Sequence, residues 1–215
     1  MTAKEAMLAR IGAALRDVPA DERPPDVEVP RRYRRTEPGN AVELFVERIS
    51  EYRTHVQRVR AGGVAQAAAD HCRGRGVDNL GIPSDLPDEW RPRSIDLVPE
   101  TGLTPRELDA LGGAFTGSAL AIADTGTIVL DTGPRQGSRA LSLVPDLHIC
   151  VVEEKQIVGG VPEAMAEIGS TLRRMLRPVT FVSGPSATSD IELTRVEGVH
   201  GPRSLIVLVV SPEVT

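Results

Sequence analysis

Apolar side chains recur every three to four residues in several stretches of the chain, which is the spacing that places them on one face of a helix. This pattern predicts helices over residues 3–16, 41–60, 64–73 and 161–175. A further helix is indicated at Thr104-Pro105-Arg106-Glu107, where Thr is a favourable N-cap, Pro suits the first helical position and Glu the third. Residues 139–143 are predicted to form one more short helix.

Short apolar runs without helical spacing predict strands, and the longest lie at residues 147–152, 179–182 and 205–210. Residues 79–83 and 94–99 carry shorter runs. The segments Ser118–Ala123 and Thr127–Leu130 are joined by Asp124-Thr125-Gly126, and two apolar runs around such a turn predict a β-hairpin. Because strands and helices alternate along the chain, the pattern indicates an α/β architecture.

The N-terminal part of the chain has a different composition from the rest. Five prolines fall between Pro19 and Pro38, together with the basic cluster Arg31–Arg35. Such a stretch cannot form a regular helix or an interior strand. We therefore predict an N-terminal helix and extended arm over residues 1–38, followed by an α/β domain over residues 39–215. The arm either docks an acidic partner or is a solvated linker.

Composition narrows the classes of function. The chain has 215 residues and a formal net charge of −5, which argues against nucleic acid as a partner. Its two cysteines, Cys72 and Cys150, are too few for a cysteine-ligated iron–sulfur cluster within this chain, and the four histidines show no metal-ligand spacing. No signal peptide and no apolar run of membrane-spanning length is present. We predict a cytoplasmic protein without a resident metal.

The run Ser183–Glu192 follows a predicted buried strand and is dense in hydroxyl groups. Gly184 and Pro185 force a turn, and we expect the loop at the carboxyl end of a strand, where α/β proteins bind ligands. If Asp190–Glu192 opens a helical turn, its free N–H groups would face an anion. The alternative is that a Ser or Thr of this run simply caps that turn.

Three ionisable residues near this loop are candidates for proton transfer. Asp190 and Glu192 are two positions apart and face different ways, so each would act singly. His200 lies between glycines just before the last predicted strand, and an imidazole titrates near neutrality. The alternative for His200 is a structural hydrogen bond to a backbone carbonyl.

The hairpin turn is a second candidate for ligand binding. Thr125 and Thr127 offer hydroxyls, and the amides around Gly126 would suit a carboxylate or phosphate, although Asp and Gly are also ordinary turn residues. After the hairpin, Arg135 and Arg139 either form a carboxylate clamp or are solvated. No dinucleotide fingerprint and no Walker lysine is present.

Three motifs taken together resemble the lactate-utilisation protein C family, which has a LUD domain. They are Ala123–Thr127, Ser183–Glu192 and Glu197-Gly198-Val199-His200-Gly201-Pro202. The resemblance spans Ala41 to Val210. It implies an open, mostly parallel sheet flanked by helices, similar to that of ribose-5-phosphate isomerase, CoA transferases and methenyltetrahydrofolate synthetase.

The resemblance also implies a role beside two iron–sulfur partner proteins that oxidise L-lactate to pyruvate. The clusters are then expected in the partners, and this chain is a non-redox subunit that binds a small anionic ligand. The resemblance assigns no catalytic position. Two alternatives remain, a stand-alone isomerase or acyl transferase acting on an anionic phosphate or thioester, and a scaffold that docks through the arm.

We place the candidate site at the three motif loops. The proposed proton-transfer or ligand-positioning residues are Asp190, Glu192 and His200. The proposed ligand-binding residues are Thr125, Gly126, Thr127, Ser183, Gly184, Ser186, Thr188 and Ser189.

Overall fold

The computed structural model describes residues 2–19, 39–175, 177–189, 195–197 and 200–212. The chain divides into two compact units, residues 1–33 and 34–215. The predicted boundary at residue 38 and the basic arm at residues 31–35 lie outside the described residues, so both stay predictions. No helix in the described ranges is long and apolar enough to cross a membrane.

The first unit contributes one described helix, α1 (Ala3–Ala14). A reciprocal capping box fixes its start, because the Glu5 amide donates to Thr2 Oγ1 at 3.3 Å and the Thr2 amide donates to the Glu5 carboxylate at 2.8 Å. None of the residues of α1 is buried. The helix predicted for this stretch is therefore confirmed.

The second unit is built around a six-stranded sheet in which every neighbouring pair runs parallel. The strand order across the sheet is β1-β12-β7-β4-β2-β3. These strands are β1 (His55–Arg60), β12 (Ser204–Ser211), β7 (Leu147–Glu153), β4 (Ala114–Thr116), β2 (Asn79–Ile82) and β3 (Asp96–Pro99). The strands predicted at residues 79–83, 94–99, 147–152 and 205–210 are confirmed.

A second sheet of four strands has the order β8-β5-β6-β9. The predicted hairpin forms its centre, with β5 and β6 antiparallel, while β8 joins parallel to β5 and β9 antiparallel to β6. A separate two-stranded ribbon pairs β10 with β11. These strands are β5 (Leu120–Ile122), β6 (Thr127–Leu130), β8 (Ile157–Val158), β9 (Thr180–Val182), β10 (Ala187–Ser189) and β11 (Arg195–Glu197).

Five α-helices in the described ranges accompany the sheets, and most begin where the sequence predicts. The helix α4 starts with the predicted capping box of Thr104 and Glu107 and ends at Asp109. The helices are α2 (Ala41–Ser50), α3 (Val64–Arg73), α4 (Pro105–Asp109), α5 (Arg139–Leu143) and α6 (Val161–Met175). The α/β class with a mostly parallel sheet is confirmed, and the specific likeness to the isomerase and transferase folds stays a prediction.

The core lies on both faces of the main sheet. Since successive side chains of a strand point to opposite faces, Ile206 and Leu208 of β12 pack in one cluster with α3, while Val207 and Val209 pack in another with α2. A strand buried on both faces needs an uninterrupted apolar run. This is why β12 could be recognised from its sequence.

The helix predicted over residues 41–60 is wrong in its second half. The helix α2 ends at Ser50, Arg53 takes a left-handed backbone with φ of 61°, and β1 follows. The spacing of Val56 and Val59 fits a helix, yet these β-branched residues also suit a strand. The whole of β1 pairs with β12, a partner far along the chain that local periodicity cannot reveal.

Candidate functional site

A cavity of about 400 Å³ lies where the second and third motif loops meet. Its wall includes His148, the second residue of β7, and Leu205, the second residue of β12. The loop segments 183–186 and 200–202 form much of the remaining wall, together with residues of α5 and β9. The cavity therefore lies at the amino ends of the two central strands.

This position corrects our expectation of a site at the carboxyl ends of the strands. Ser183 does follow a strand, but β9 is an edge strand of the second sheet and runs antiparallel to β6. Relative to the main sheet, Gly201 and Pro202 come immediately before β12 rather than after it. Strand order and direction, which the motif itself does not encode, determine this outcome.

Ser186 holds the two loops of the cavity together. Its amide donates to the carbonyl of Pro202 at 2.8 Å, and its hydroxyl oxygen accepts from the amide of His200 at 3.2 Å. The hydroxyl predicted to bind an anion is thus engaged with the backbone. His200 itself is exposed and lies on the cavity wall, as the sequence predicts.

The hairpin motif contacts the cavity wall through Ser183. Thr127 is buried, and its Oγ1 lies 2.7 Å from Ser183 Oγ and 2.7 Å from Thr125 Oγ1. Ser183 lies on the cavity wall, whereas Thr125 and Thr127 do not belong to the described wall. The chain of three hydroxyls therefore positions Ser183, and the structure brings the hairpin to the site through that contact.

Two glycines of the motifs are needed for close approach. Gly126 has φ of 58°, and a Cβ on it would lie 2.5 Å from the amide nitrogen of Ile49 in α2. Gly184 has φ of 141°, and a Cβ there would lie 2.5 Å from Tyr52 Cβ. A side chain is disfavoured at both positions by backbone conformation and by space. Gly126 faces helix α2, while Gly184 lies on the cavity wall.

Two of the predicted ligand-binding residues belong to the β10–β11 ribbon. Residues Thr188 and Ser189 belong to β10, so the structure replaces part of the predicted loop by a strand. Asp190 and Glu192 lie outside the described residues, and so does the predicted helical turn that they would open. The proposed roles of these four side chains stay predictions.

The cavity wall carries a cation whose charge has no partner among the described residues. Arg139 begins α5 and is exposed, and its guanidinium forms no ion pair or hydrogen bond within the described part of the chain. The described wall has no Asp or Glu. An arginine offers a planar fork of donors that suits carboxylates and phosphates. The described part of the cavity wall is therefore electrostatically favourable to an anion.

Arg135, the other predicted half of a carboxylate clamp, lies elsewhere. Its guanidinium contacts the Glu153 carboxylate at 3.5 Å and stacks 5.2 Å above the Trp90 ring centre. Glu153 ends β7, so this arginine is at the carboxyl end of the strand whose amino end carries the cavity. The clamp of two arginines is therefore wrong, and only Arg139 lines the cavity.

His148 is a site residue that sequence reasoning considered only as a metal ligand. It is 1% exposed, and its Nε2 lies 2.8 Å from Thr116 Oγ1. Burial lowers the pKa of His148 to about 4, so its ring is neutral at neutral pH. The available signal was a polar residue inside the apolar run Leu147–Val152, since a buried polar side chain needs a specific partner.

The described residues contain no group of three or more His, Cys, Asp or Glu placed to hold a metal ion. Both cysteines are buried. Burial raises the pKa of Cys150 to about 12, which keeps its thiol protonated near neutrality. Neither observation tests the prediction that the chain lacks a cofactor.

Comparison with known proteins supports the motif-based resemblance. Residues 104–210 match the LUD domain, a span that includes the hairpin and both cavity loops. A lactate utilization protein C of Deinococcus radiodurans is 42% identical over 97% of this chain and 95% of its own length. A lactate utilization protein C of Geobacillus sp. (strain WCH70) is 30% identical over 62% of this chain and 58% of its own length.

A solved structure shares the fold. The crystal structure of a DUF162 family protein from Deinococcus radiodurans superposes with a TM-score of 0.69 at 37% identity, covering 79% of this chain and 96% of that one. The similarity therefore extends over nearly the whole length of both Deinococcus radiodurans proteins. The matched LUD domain includes the motifs from which the cavity is built. This chain belongs to the LUD-domain family that includes lactate utilization protein C.

Proposed function

We propose that this chain is a non-redox subunit of a lactate utilisation system and that the cavity at the amino ends of β7 and β12 binds a small anion. The observation that carries the anion site is the unpaired Arg139 on a described wall without carboxylates. The role in lactate utilisation is supported by relatives that bear that name.

The proposal assigns electron transfer to iron–sulfur partner proteins. Four-iron and two-iron clusters are usually held by four cysteine thiolates. This chain has two cysteines, and both are buried in the core. Its donor set therefore does not fit such a cluster, and we propose that the clusters lie in cytoplasmic partner proteins, as the family resemblance implies.

Affinity capture tests the membership of the system. The tagged chain is recovered from an extract of its native cells grown on L-lactate, and the eluate is analysed by mass spectrometry, by iron assay and for L-lactate-dependent dye reduction. We expect iron–sulfur proteins to co-purify and dye reduction to require them. Partners that oxidise L-lactate equally well in a strain lacking this chain would contradict the proposal.

The alternative of a stand-alone isomerase or acyl transferase has one supporting feature. His200 is exposed on the wall of a cavity that also presents Ser183 and Ser142, so a proton-transferring group lies beside hydroxyls. Assays of the isolated chain with sugar phosphates and acyl-CoA thioesters separate the two functions. Turnover of any of these compounds would favour the alternative, and we expect none.

A further inference from the structure

A second cavity, of about 240 Å³, lies past the carboxyl end of β4 and shares no wall residue with the first. Its walls come from residues 118–120, from the loop that follows β6, from Gln156 and from α6. Pockets that hold drug-sized molecules usually begin at about 300 Å³. A compound that fits the second cavity is therefore small.

Asp131, on the wall of the second cavity, is a buried carboxylate with one oxygen unused. It directly follows β6 and is 8% exposed. Its Oδ1 atom accepts from the Gly133 amide at 3.0 Å and from Gln136 Nε2 at 2.7 Å. Within the described part of the chain, Oδ2 accepts no hydrogen bond and the carboxylate forms no ion pair. A buried polar atom of this kind normally has a donor.

The unused oxygen of Asp131 is open to the second cavity. Among the described residues, Thr54 Oγ1 is the one side-chain oxygen or nitrogen atom that is sealed from solvent and has no partner. Oδ2 of Asp131 also has no partner, so it has to be reachable from outside the protein. Because Asp131 is otherwise buried and lines the second cavity, that cavity is the route to Oδ2. The two hydrogen bonds to Oδ1 hold the carboxylate in place for a ligand.

The charges on the described wall favour a cation. Glu167, on α6, is exposed, and its carboxylate has no hydrogen bond or ion pair within the described ranges. Arg135 is the cationic residue of this wall, and its guanidinium contacts Glu153, which does not belong to the wall. Two carboxylates without a partner cation therefore line the second cavity, beside one arginine whose charge is already paired.

The rest of the wall favours an organic ammonium ion over a metal ion. The described residues contain no group of three or more His, Cys, Asp or Glu placed to hold a metal, and calcium takes six or more oxygen ligands. The side chains of Leu120, Pro134 and Ile168 make part of the wall apolar, which suits an alkyl chain. An ammonium group supplies the N–H donors that a carboxylate oxygen accepts.

We infer that the second cavity binds a small primary alkylammonium ion, whose N–H groups donate to Asp131 Oδ2 and whose alkyl chain contacts the apolar wall. Glu167 adds a second negative charge on the exposed side of the wall. The inference concerns a separate cavity, and it does not depend on the anion site at Arg139.

Calorimetric titration of the full chain with n-butylammonium chloride tests the inference, with 1-butanol in the same chloride buffer as the neutral compound of equal chain length. We expect n-butylammonium to bind at least about tenfold more tightly than 1-butanol, as expected for a charge-assisted hydrogen bond to a carboxylate. Equal binding of the two compounds would overturn the role of the carboxylates. Absence of n-butylammonium binding would overturn the site and leave Oδ2 to water alone.

Asp131→Asn is the main variant, because it removes the charge and keeps an oxygen that accepts from Gly133 and Gln136. We expect it to weaken n-butylammonium binding at least about tenfold. Asp109→Asn is the matched control, since it makes the same change at an exposed position that is not on the wall, and it should bind like the wild type. An equal loss in both variants would reduce the effect to net charge and overturn the inference.

Glu167→Lys keeps the inference testable if Asp131→Asn does not fold, because Glu167 is exposed on α6. Reversing the charge on the wall should weaken n-butylammonium binding at least about fivefold and leave 1-butanol unaffected. Affinity for n-butylammonium that is unchanged in Glu167→Lys would contradict a cation site in the second cavity.

Discussion

Arg135 and Arg139 are close in sequence, and their surroundings show how differently the two ends of the main sheet are built. At the carboxyl end, Arg135 is paired with Glu153 and stacked on Trp90. At the amino end, Arg139 lines the cavity without a described partner. The sequence analysis left two alternatives for this pair, a shared carboxylate clamp or solvated side chains. The structure places the two arginines in different surroundings, and of the two Arg139 alone lines the cavity.

Several polar groups at the carboxyl end satisfy one another. Asp131 Oδ1 accepts from the Gly133 amide at 3.0 Å and from Gln136 Nε2 at 2.7 Å, while Gln136 Oε1 accepts from the Asp131 amide at 2.8 Å. Thr132 and Arg135 take left-handed backbones with φ of 56° and 65°. Such conformations persist where several surrounding contacts hold the backbone in place, so we interpret the role of this loop as structural.

The amino end has the opposite character. Its polar side chains include Arg139, His148 and the exposed ring of His200. The hydroxyls of Thr127 and Ser186 are used to hold the loops in place. Among the described residues, spare hydrogen-bonding capacity is therefore greater at this end, and mutations at the two ends are expected to differ in kind as well as in size.

The largest expected effect is a pH dependence that originates at the amino end. Burial lowers the pKa of His148 from 6.5 to about 4, so below pH 6.5 the unfolded chain takes up a proton there that the folded chain does not. Stability from this group is complete above pH 6.5 and is lost as the pH falls towards 4. We expect the free energy of unfolding to drop by roughly 3 kcal/mol over this interval.

Urea unfolding at a series of pH values measures this effect, with His148→Gln as the reference that lacks the titrating ring. Other groups titrate in both proteins, so the difference between the two curves isolates His148. The wild type should lose more stability on acidification than the variant. Parallel curves would show that the folded state accommodates a charged His148.

A smaller effect is expected from alanine at two glycines, one at each end. In Gly184→Ala the new Cβ would lie 2.5 Å from Tyr52 Cβ on a backbone with φ of 141°, and in Gly133→Ala it would lie 2.6 Å from Asp131 Oδ1. We expect each to lower the free energy of unfolding by about 2 kcal/mol. Only Gly184→Ala should also weaken anion binding, because only Gly184 lines the cavity.

Thermal unfolding and calorimetric titration of both glycine variants check this pair. The comparison between the two ends fails if Gly133→Ala impairs anion binding as much as Gly184→Ala does. The comparison is supported if Gly184→Ala alone weakens anion binding while both variants lose stability.

The smallest expected effect is on stability when Arg135 is removed. Arg135→Ala loses the stacking on Trp90 and a half-buried ion pair with Glu153, which Lys155 also contacts at 3.3 Å. We expect a loss of about 1 kcal/mol in the free energy of unfolding, measured by urea denaturation. An unchanged midpoint would mean that Arg135 does not brace its loop, and Arg106→Ala, at an exposed position in α4, controls for the loss of an arginine.

Much of the fold was predictable because its signals are local. The hairpin, the central strands β7 and β12 and the helices α3 and α6 each have a continuous or periodic apolar pattern. The strand β1 was missed because two valines fit either structure and its partner β12 is distant in sequence. The second sheet beyond its hairpin depends on similar distant pairings.

The site was predictable in part. The loops around Ser183 and His200 were expected to share a site, and they do line one cavity. Its position at the amino ends of the strands was not predictable, because strand order is not written in the motif. The role of His148 was missed since its importance comes from Thr116 and the cavity, which only the folded chain brings beside it.

The central claim is that the charge left unmet at Arg139 binds a small anion. Calorimetric titration of L-lactate into the wild type, Arg139→Ala and Arg135→Ala tests it most directly. We predict that Arg139→Ala weakens binding at least about tenfold, as for the loss of a charge-assisted hydrogen bond, while Arg135→Ala binds like the wild type. Binding that survives in Arg139→Ala and is lost in Arg135→Ala would contradict the account.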